Sequence, residues 1–322
     1  MRVLVTGGAG FIGSNYVKNR LIHRDNDLEK IIILDDLTYA GTLENVQGFQ
    51  DDPRIEFVRG DICNQSLVEE LFFEVDEVVH FAAESHVDRS INSSDDFIRT
   101  NVSGTNTLLK VLRAHPKTRF LHVSTDEVYG TIDNGSWTEN SPLQPNSPYA
   151  ASKACSDLLA LSYQKTYGLD ILISRCCNNY GPNQFPEKII PLFITNLIEG
   201  KKLPVYGNGQ NIREWIHVDD HCVALDKILA NGRPGEIYNI GSGFELSNLN
   251  LTKILIESFG KDDSEISFVA DRLGHDARYS LDSSKIKREF GFSPEVSFTE
   301  GLENTVKWYL ENENWWKPKV ID

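Results

Sequence analysis

The sequence predicts an α/β fold, a doubly wound parallel sheet with helices on both faces, followed by a smaller C-terminal lobe. Short apolar runs alternate with helical patterns from the N-terminus to about residue 175, and this alternation is typical of a parallel sheet covered on both sides. The run Ile31-Ile-Ile33 is rich in β-branched side chains, which suits a strand buried on both faces. A glycine-rich turn at residues 7–13 follows the first run, so the predicted sheet is of the Rossmann type.

The predicted strands and helices alternate along the first part of the chain. Six strands are predicted where short apolar runs occur, over residues 3–6, 30–35, 55–59, 77–81, 119–124 and 170–175. Four helices are predicted between most of these strands, over residues 12–22, 66–73, 97–114 and 149–167. Crossover helices of this kind are what joins successive parallel strands, because a tight hairpin cannot do so.

The character of the sequence changes after Pro182. Segments become shorter, and glycine, proline and aromatic residues become more frequent, as in residues 181–186, 206–209 and 241–243. We therefore predict two domains. Residues 1–182 form the sheet domain, and residues 183–322 form a smaller lobe from which some segments return to the sheet. A helix with aromatic residues, predicted over residues 302–316, is interpreted as a packing element.

Composition and charge restrict the class of protein. The 322 residues are 40% hydrophobic and 25% charged, as in globular proteins. The net charge of −15, from 47 acidic and 32 basic residues, argues against general nucleic-acid binding. We find no signal peptide and no apolar run of the roughly 18–20 residues that cross a bilayer, so no membrane association is expected.

The cysteines predict neither a disulfide framework nor a metal site. The five residues are odd in number and lack metal-type spacing: Cys63, Cys155, Cys176, Cys177 and Cys222. Adjacent cysteines rarely form an unstrained disulfide, so buried thiols are expected for the pair at 176 and 177. Free thiols fit a reducing cytoplasm, where we expect this protein to be located.

The turn after the first strand predicts a dinucleotide site. Gly7 allows a sharp turn, Gly10 lets the backbone approach a pyrophosphate, and Gly13 lets helix and strand pack closely. The phosphates would meet the free N–H groups at the helix N-terminus. Asp35 ends the second strand, 22 residues after Gly13, where its carboxylate would bind ribose hydroxyls and repel a 2′-phosphate. NAD is therefore favoured over NADP. A simple turn residue is the alternative for Asp35, since Asp36 follows it.

Two further strand ends are expected beside this dinucleotide. Asp61 and Ile62 follow the third strand, where an adenine edge would lie. Ala82 and Ala83 follow the fourth strand and offer small side chains next to the bound cofactor. Ordinary strand-end turns are the alternative interpretation for both pairs.

The run Thr125-Asp126-Glu127 is the most informative feature of the chain. It follows the fifth predicted strand, and its last residue lies 22 residues before Tyr149. Tyr149 and Lys153 share one helical face and form the acid/base pair typical of short-chain dehydrogenases. Hydride transfer needs only that pair and a hydroxyl partner, so an added acid and carboxylate base indicate a further proton transfer, such as loss of water. The alternative is structural, because Asp and Glu after a strand often cap a helix or lie in a turn.

Motifs along nearly the whole chain resemble those of the extended short-chain dehydrogenases/reductases, and most closely the dTDP-glucose 4,6-dehydratases. The general resemblance rests on the glycine turn, on Tyr149-x-x-x-Lys153 and on Asn179-Tyr-Gly-Pro182. The closer resemblance rests on the runs at residues 37–41, 82–91, 124–130, 147–153, 178–182, 185–191 and 271–276. Thr-Asp-Glu combined with Tyr-x-x-x-Lys is specific to sugar-nucleotide 4,6-dehydratases, and the run at residues 84–90 points to the dTDP branch.

The resemblance implies an NAD-dependent lyase that converts dTDP-glucose to dTDP-4-keto-6-deoxyglucose and water. Tyr149, as a phenolate favoured by Lys153 and the nicotinamide charge, would take the proton of the 4-hydroxyl, to which Thr125 would also bond. Glu127 would remove the carbon 5 proton, and Asp126 would protonate the departing 6-hydroxyl. The hydride would return to carbon 6, so that tightly bound NAD is regenerated in each turnover.

The resemblance also assigns binding residues. At the cofactor it adds Phe11, Ile12, Leu37, Thr38, Thr100 and Asn179, together with Tyr149 and Lys153. At the substrate it implies Ser85, His86, Thr125, Asn178, Lys188, Ile189, Pro204, Tyr206, Arg213, Asn248, Arg272 and His275. Arg213 is chemically suited to a bidentate clamp on the diphosphate. A surface ion pair with Glu214 or Asp219 is the alternative for this arginine.

Departures from the family pattern concern the nucleotide end. Leu273 and Ala277 stand where many members have Pro and Arg, and residues 242–246 replace a more polar stretch. These changes bear on the preference for the base and leave the dehydration chemistry untouched. The family also implies a homodimer built through a four-helix bundle, for which the predicted helices at 97–114 and 149–167 are the candidates.

Two rival functions share parts of this pattern. Another sugar-nucleotide 4,6-dehydratase or a 4-epimerase of the same fold would have the glycine turn and the Tyr/Lys pair, but an epimerase needs no Asp126-Glu127 pair. A non-catalytic dinucleotide sensor or scaffold is the rival from a different class. Such a protein would have little need for the complete set of Thr, Asp, Glu, Tyr and Lys.

Overall fold

A parallel sheet and a smaller group of short strands organise the chain, of which the computed structural model describes residues 1–23 and 28–320. The last two residues of the predicted lobe lie outside the described residues. The strands, in chain order, are β1 Arg2–Thr6, β2 Lys30–Asp35, β3 Ile55–Arg59, β4 Glu77–His80, β5 Arg119–Thr125, β6 Ile171–Cys176, β7 Asn178–Tyr180, β8 Leu203–Tyr206, β9 Ile212–His217, β10 Ile237–Ile240, β11 Glu245–Ser247 and β12 Ile266–Val269.

The main sheet has the order β10-β6-β5-β4-β1-β2-β3, and all its neighbouring strands run parallel. Six of these strands are the predicted ones, displaced by no more than a residue or so at either end. Across the sheet, the strands from β3 through β2, β1, β4 and β5 to β6 lie in the order of a Rossmann sheet. In such a sheet the strand order reverses next to β1. The predicted fold class is therefore confirmed.

Helices connect the strands and cover both faces of the sheet. Their bounds are α1 Phe11–His23, α2 Gln65–Phe72, α3 Val87–Asn92, α4 Asp95–Phe97, α5 Thr105–Leu112, α6 Pro148–Tyr167, α7 Ile189–Glu199, α8 Val218–Asn231, α9 Asn248–Ser258, α10 Ser284–Phe290, α11 Phe298–Glu311 and α12 Glu313–Trp316. Single 3₁₀ turns occur at Leu43–Asn45, Asp126–Tyr129, Asp263–Glu265 and Lys317–Lys319. No helix in the described part of the chain is long and apolar enough to cross a membrane.

The predicted helix over residues 97–114 is interrupted. A π-helical turn at Ile98–Gly104 separates α4 from α5. Within this turn the Asn101 amide donates to the Glu84 carbonyl oxygen at 3.0 Å and to the Ser152 hydroxyl at 2.8 Å. Such π-helical turns often occur at functional sites. The hydrophobic period of the sequence could not reveal this turn, because Asn101 bonds to residues of distant segments.

The sheet is buried on both faces, as predicted. Alternate side chains of a strand point to opposite faces; in β1, Val3 and Val5 belong to one hydrophobic core and Leu4 to the other. All three side chains are fully buried. A third core lies in the C-terminal part of the chain, where the aromatic residues Tyr309 and Trp316 are fully buried. The packing role predicted for the C-terminal helix is therefore confirmed.

The C-terminal part of the chain also contributes to the sheet domain. Strand β10 pairs with β6 at one edge of the main sheet. Helix α8 lies against α1, where Asp226 accepts from Arg20 at 2.8 Å and from the Tyr16 hydroxyl at 2.9 Å. The remaining strands form a three-stranded sheet, β11-β9-β7, and a pair, β12-β8. The boundary between residues 182 and 183 stays a prediction.

Candidate active site

The carboxyl ends of the main-sheet strands open into one large cleft of about 790 Å³. Ligands of doubly wound sheets bind at this edge, where the strand order reverses. The cleft brings together most of the cofactor residues inferred from the sequence: Gly7, Gly10, Phe11, Ile12, Gly13, Asp35, Thr38, Asp61, Ile62, Ala82, Ala83, Thr100, Tyr149, Lys153 and Asn179. Leu37 is the exception, since it does not line the cleft and contributes a backbone N–H to Asp35 instead.

The glycine turn is too tight for side chains at Gly7 and Gly13. Gly7 has a φ of +71°, and a Cβ on it would lie 2.6 Å from the Ala82 nitrogen. A Cβ on Gly13 would overlap the Gly7 carbonyl oxygen. Helix α1 begins at Phe11 directly after this turn, so its free N–H groups face the cleft. The cradle fits a dinucleotide pyrophosphate.

Asp35 joins the glycine turn to the loop after β2. Its carboxylate accepts from the Ala9 N–H and from the Leu37 N–H, both at 2.9 Å. Burial raises the pKa of this carboxyl, and the two N–H bonds oppose that rise. Gly41 is required here, because a Cβ on it would lie 2.6 Å from an Asp35 oxygen. Asp35 is thus a turn-stabilising residue as well as a lining residue, and its contact with a ribose stays a prediction.

Thr125 organises the turn that carries Asp126 and Glu127. Its hydroxyl accepts from the Glu127 N–H at 3.3 Å and thereby caps the 3₁₀ turn Asp126–Tyr129. The same hydroxyl donates to Asp126 Oδ1 at 3.2 Å. The cap considered as the structural alternative therefore exists, but Thr125 provides it, and the Asp126 and Glu127 side chains both line the cleft.

Asp126 and Glu127 have different electrostatic surroundings. Burial, followed by the charge of Glu127, raises the pKa of Asp126 well above its ordinary value. Burial also raises the pKa of Glu127, but Arg272, Lys188 and Arg213 oppose that rise. Carboxyl pairs whose surroundings separate their pKa values divide naturally into an acid and a base. Asp126 is thus suited to donate a proton and Glu127 to accept one.

Helix α6 positions Tyr149 and Lys153. The Ser147 hydroxyl caps the helix, Pro148 occupies its first turn, and Gly168 ends it in a left-handed conformation. Lys153 Nζ donates to the Val123 carbonyl oxygen of β5 at 2.8 Å. This bond holds the ammonium group at the sheet edge beside the Thr125 turn.

Burial dominates the ionisation of this pair. It lowers the pKa of Lys153 to about 8. Burial and then the charge of Glu127 raise the pKa of Tyr149, although a hydrogen bond with Thr125 opposes this rise. The lowered pKa that the sequence predicts for Tyr149 is therefore not a property of the protein alone. It requires the positive charge of the cofactor and stays a prediction for the loaded site.

Arg213 lies in the interior and not in a surface ion pair. Only 5% of it is exposed. Its guanidinium donates to the carbonyl oxygens of Ile212 at 2.7 Å and Asp276 at 2.9 Å and stacks over the Tyr279 ring at 4.3 Å. Burial lowers the pKa of Arg213. Backbone acceptors therefore hold Arg213 in place, and its positive charge is close enough to oppose the rise in the pKa of Glu127.

The inferred substrate residues fall into two groups. Ser85, Thr125, Asn178 and Lys188 line the cleft, and Lys188 Nζ donates to the Ser85 carbonyl oxygen at 2.7 Å. Residues that do not line its wall are His86, Ile189, Pro204, Tyr206, Arg213, Asn248, Arg272 and His275. The substrate contacts of all twelve stay predictions.

Part of the second group forms a cluster beside the cleft. The Tyr206 hydroxyl donates to Asp88 at 3.2 Å, and Arg272 lies 3.9 Å from the same carboxylate. The Tyr206 ring meets the His275 ring edge-on, with 6.2 Å between the centroids. This cluster joins α3 to the segment around residue 272, which also directs positive charge at Glu127.

The structure adds lining residues that were not inferred. Tyr39, Arg89 and Glu187 meet at the cleft wall, where the Arg89 guanidinium lies 3.9 Å from the Tyr39 ring centroid. Arg89 Nε donates to Glu187 at 3.2 Å. Their only sequence signal was membership in the family-like runs at 37–41, 82–91 and 185–191.

The thiols are free, and the adjacent pair is buried as expected. Cys176 and Cys177 lie at the end of β6 and line the cleft, whereas Cys155 is exposed. The Asn179 amide donates to the Cys176 sulfur at 3.3 Å. Among the described residues, no group of three or more His, Cys, Asp or Glu side chains is arranged to hold a metal ion.

Comparisons with known proteins agree with this geometry. A family model described as GDP-mannose 4,6 dehydratase matches residues 4–305. A dTDP-glucose 4,6-dehydratase from Actinoplanes sp. is 56% identical over 319 residues, which cover 98% of this chain and 100% of that protein. The match extends over the sheet domain and the predicted lobe alike.

Among solved structures, a dTDP-glucose 4,6-dehydratase resembles the chain more than a 4-epimerase does. DesIV, a dTDP-glucose 4,6-dehydratase from Streptomyces venezuelae solved with NAD and TDP bound, has a TM-score of 0.98 and 58% identity, covering 99% of this chain and 100% of that chain. A UDP-glucose 4-epimerase from Thermotoga maritima, solved with UDP-glucose, has a TM-score of 0.89 and 29% identity, covering 97% and 100%. The chain therefore belongs to the extended short-chain dehydrogenase/reductase superfamily and, within it, to the dTDP-glucose 4,6-dehydratase family.

Proposed function

We propose that the protein is an NAD-dependent lyase that converts dTDP-glucose to dTDP-4-keto-6-deoxyglucose and water. The observation that carries this proposal is the carboxyl pair Asp126 and Glu127, placed in the same cleft as Tyr149 and Lys153. Burial favours the protonated form of Asp126, while three cations oppose protonation of Glu127. Removal of water needs one acid and one base, and this pair supplies both.

The glycine cradle and the loop after β2 are suited to hold NAD. A Cβ on Gly7 or Gly13 would clash with the backbone of Ala82 or of Gly7 itself, so glycine keeps this turn tight, and α1 begins directly after it. The Asp35 carboxylate lies at the end of β2, where it favours a free 2′-hydroxyl over a phosphate. When bound, NAD supplies the hydride acceptor for carbon 4 and the hydride donor for carbon 6.

The side chains of the chain itself move the protons. Tyr149 accepts the proton of the 4-hydroxyl, with Thr125 bonded to the same oxygen and Lys153 supplying positive charge nearby. The resulting 4-ketone acidifies carbon 5, whose proton Glu127 removes. Asp126 protonates the departing 6-hydroxyl, and carbon 5 is then protonated again. The same residues thus serve oxidation, elimination and the final reduction.

A nucleotide diphosphate fits the positive end of the site. Lys188 lines the cleft, and Arg213 and Arg272, which lie outside its wall, are near enough to act electrostatically on Glu127 together with it. Two backbone carbonyl oxygens each accept from one guanidinium nitrogen of Arg213 and fix its orientation, and the further N–H groups of a guanidinium suit a diphosphate. We assign the clamp to Arg213, with Lys188 as a further cation.

Arg213→Lys tests this clamp. Lysine keeps the charge but loses the paired donors and the stacking over Tyr279, so KM for dTDP-glucose should rise by about tenfold or more while kcat changes less. Steady-state kinetics over a range of substrate concentrations provide the measurement. Unchanged KM and kcat would show that Arg213 has only a structural role.

The main rival, a 4-epimerase, predicts a different product from the same assay. Purified protein without added cofactor should convert dTDP-glucose to a 4-keto sugar, which absorbs strongly in alkali, because bound NAD is regenerated in each turnover. An epimerase would instead form dTDP-galactose without that absorbance, and a requirement for stoichiometric NADPH would also contradict the proposal. Parallel assays with UDP-, GDP- and CDP-glucose measure how strictly dTDP is preferred.

We further propose that the protein is a homodimer formed through α5 and α6. Leu158 in α6 is 56% exposed, Tyr167 at the end of α6 is 45% exposed, and Ile98 in the π turn before α5 is 49% exposed. Exposed apolar side chains favour burial against a second copy. A monomeric mass in light scattering would contradict this proposal. The cytoplasmic location stays a prediction.

A further inference from the structure

A buried group of charges lies behind the Tyr149 and Lys153 pair. Asp157 is one helical turn after Lys153 on α6, and none of it is exposed. Arg175 Nε of β6 donates to Asp157 Oδ2 at 2.8 Å, and His122 Nε2 of β5 lies 3.3 Å from Oδ1. The proposed mechanism uses none of these three side chains. A carboxylate so deep in the sheet edge nevertheless requires a reason, because burying a charge is costly unless it is compensated.

We propose that Asp157 is a positioning residue of the reaction, the buried counter-ion that keeps Lys153 protonated beside Tyr149. The inference rests on the proposed function, because it concerns the charge that the oxidation step needs. Lys153 and Asp157 are four residues apart and therefore share one face of α6. Within the described residues, the ammonium group donates to the Val123 carbonyl oxygen, and this neutral acceptor cannot balance its charge.

The groups around Lys153 leave Asp157 as its source of negative charge. Tyr149 lies on the same helix, His80 on β4, His122 on β5 and Arg175 on β6. Burial and then neighbouring positive charge lower the pKa values of both histidines, so both are neutral. Arg175 is a second buried cation and shares the same carboxylate. Among these described side chains, the carboxylate is the group that favours the ammonium form.

Asp157 is itself ionised. Burial alone would raise its pKa, but contacts with His122 and Arg175 outweigh that effect and hold the pKa below its ordinary value. One carboxylate thus interacts with two cations. Asp157 accepts a hydrogen bond from Arg175, and its charge acts on Lys153, which lies one helical turn earlier on α6. Arg175 in turn donates to the Tyr129 hydroxyl at 2.8 Å, and Tyr129 donates to Asn239 at 2.9 Å, which anchors the group to β10.

The consequence is a pH dependence with a defined sign. Burial lowers the pKa of Lys153 to about 8, and the charge of Asp157 opposes that lowering. Loss of this charge lowers the pKa further. Lys153 is charged below its pKa and neutral above it, so the loss would remove the cation beside Tyr149 at a lower pH. The alkaline limb of the oxidation rate should therefore move to lower pH.

Asp157→Asn is the direct test, measured as cofactor reduction by dTDP-glucose in a single turnover across pH. The midpoint of the alkaline limb should move to a pH lower by about one unit or more than in the unaltered enzyme. The oxidation rate at low pH should be affected less. Arg175→Gln is the matched control, because it breaks the same buried ion pair but leaves the carboxylate. Its alkaline limb should stay in place or move to higher pH.

A third variant separates this effect from impaired folding. Arg175→Gln combined with Asp157→Asn adds the loss of the carboxylate to a protein whose ion pair is already broken, and removing both charges avoids leaving one partner of the pair buried without the other. Its alkaline limb should lie below that of Arg175→Gln alone. Coincident profiles for these two variants would overturn the inference. Failure of the unaltered enzyme to form a 4-keto product would instead contradict the proposed function.

Discussion

Glu127→Gln should lower the turnover of dTDP-glucose by about 10²–10⁴-fold and stop the reaction after oxidation. Glutamine has nearly the shape of glutamate but cannot accept the carbon 5 proton. Tyr149, Lys153 and Thr125 remain in place, so oxidation at carbon 4 should proceed. The absorbance of reduced nicotinamide should then rise on addition of substrate and persist, while exchange of the carbon 5 proton with solvent should nearly cease.

The environment of Glu127 explains why the amide should be tolerated. The residue is half-buried in the 3₁₀ turn, and its backbone N–H bonds to the Thr125 hydroxyl, which the substitution leaves unchanged. Loss of the negative charge should also ease ionisation of Tyr149, whose pKa that charge helps to raise. Near-normal dehydration by this variant would show that Asp126 and Glu127 have only a structural role in the turn.

Tyr149→Phe should lower turnover by a similar factor, about 10²–10⁴, but at an earlier step. Without the phenol the 4-hydroxyl keeps its proton, so no ketone forms and the carbon 5 proton stays non-acidic. Neither reduced nicotinamide nor solvent exchange should be observed. The comparison with Glu127→Gln therefore separates oxidation from elimination by the same two measurements.

The phenylalanine variant should remain folded. The Tyr149 ring packs edge-on against Phe97, with 6.3 Å between the centroids, and phenylalanine retains that contact. A thermal melt close to that of the unaltered protein provides the control. Rapid accumulation of reduced nicotinamide in this variant would exclude Tyr149 as the base for the 4-hydroxyl.

Local sequence patterns were enough for the first six strands but not for the C-terminal ones. Strands β1 to β6 each have a mainly apolar centre that is long enough to be recognised without knowledge of the partner strands. Strands such as β7 and β11 have only three residues each, too few to show a period. The pairing of β10 with β6 depends on a distant edge of the sheet, which no local pattern specifies.

The same distinction applies to the site. Thr125, Asp126 and Glu127 are consecutive, and Tyr149 and Lys153 are one helical turn apart, so their spacing indicated a proton-transfer site, whereas the role of each residue came from the resemblance to the dehydratase family. The burial of Arg213 was not visible from the sequence, because its acceptor at Asp276 is 63 residues away.

Other parts of the site depend on contacts between elements that are distant in the chain. The Tyr39, Arg89 and Glu187 contact joins three separate segments. The role inferred for Asp157 likewise requires the positions of β5 and β6. Motifs on one element predict chemistry, whereas electrostatic support from neighbouring elements needs the fold.

The most direct test of the account follows a deuterium label placed at carbon 4 of dTDP-glucose. If the protein oxidises carbon 4, eliminates water and reduces carbon 6 with the same hydride, the label should appear in the methyl group of dTDP-4-keto-6-deoxyglucose. Nuclear magnetic resonance of the product provides the measurement. A label that remains at carbon 4, in dTDP-galactose or in unchanged substrate, would contradict the assignment of this chain as a 4,6-dehydratase.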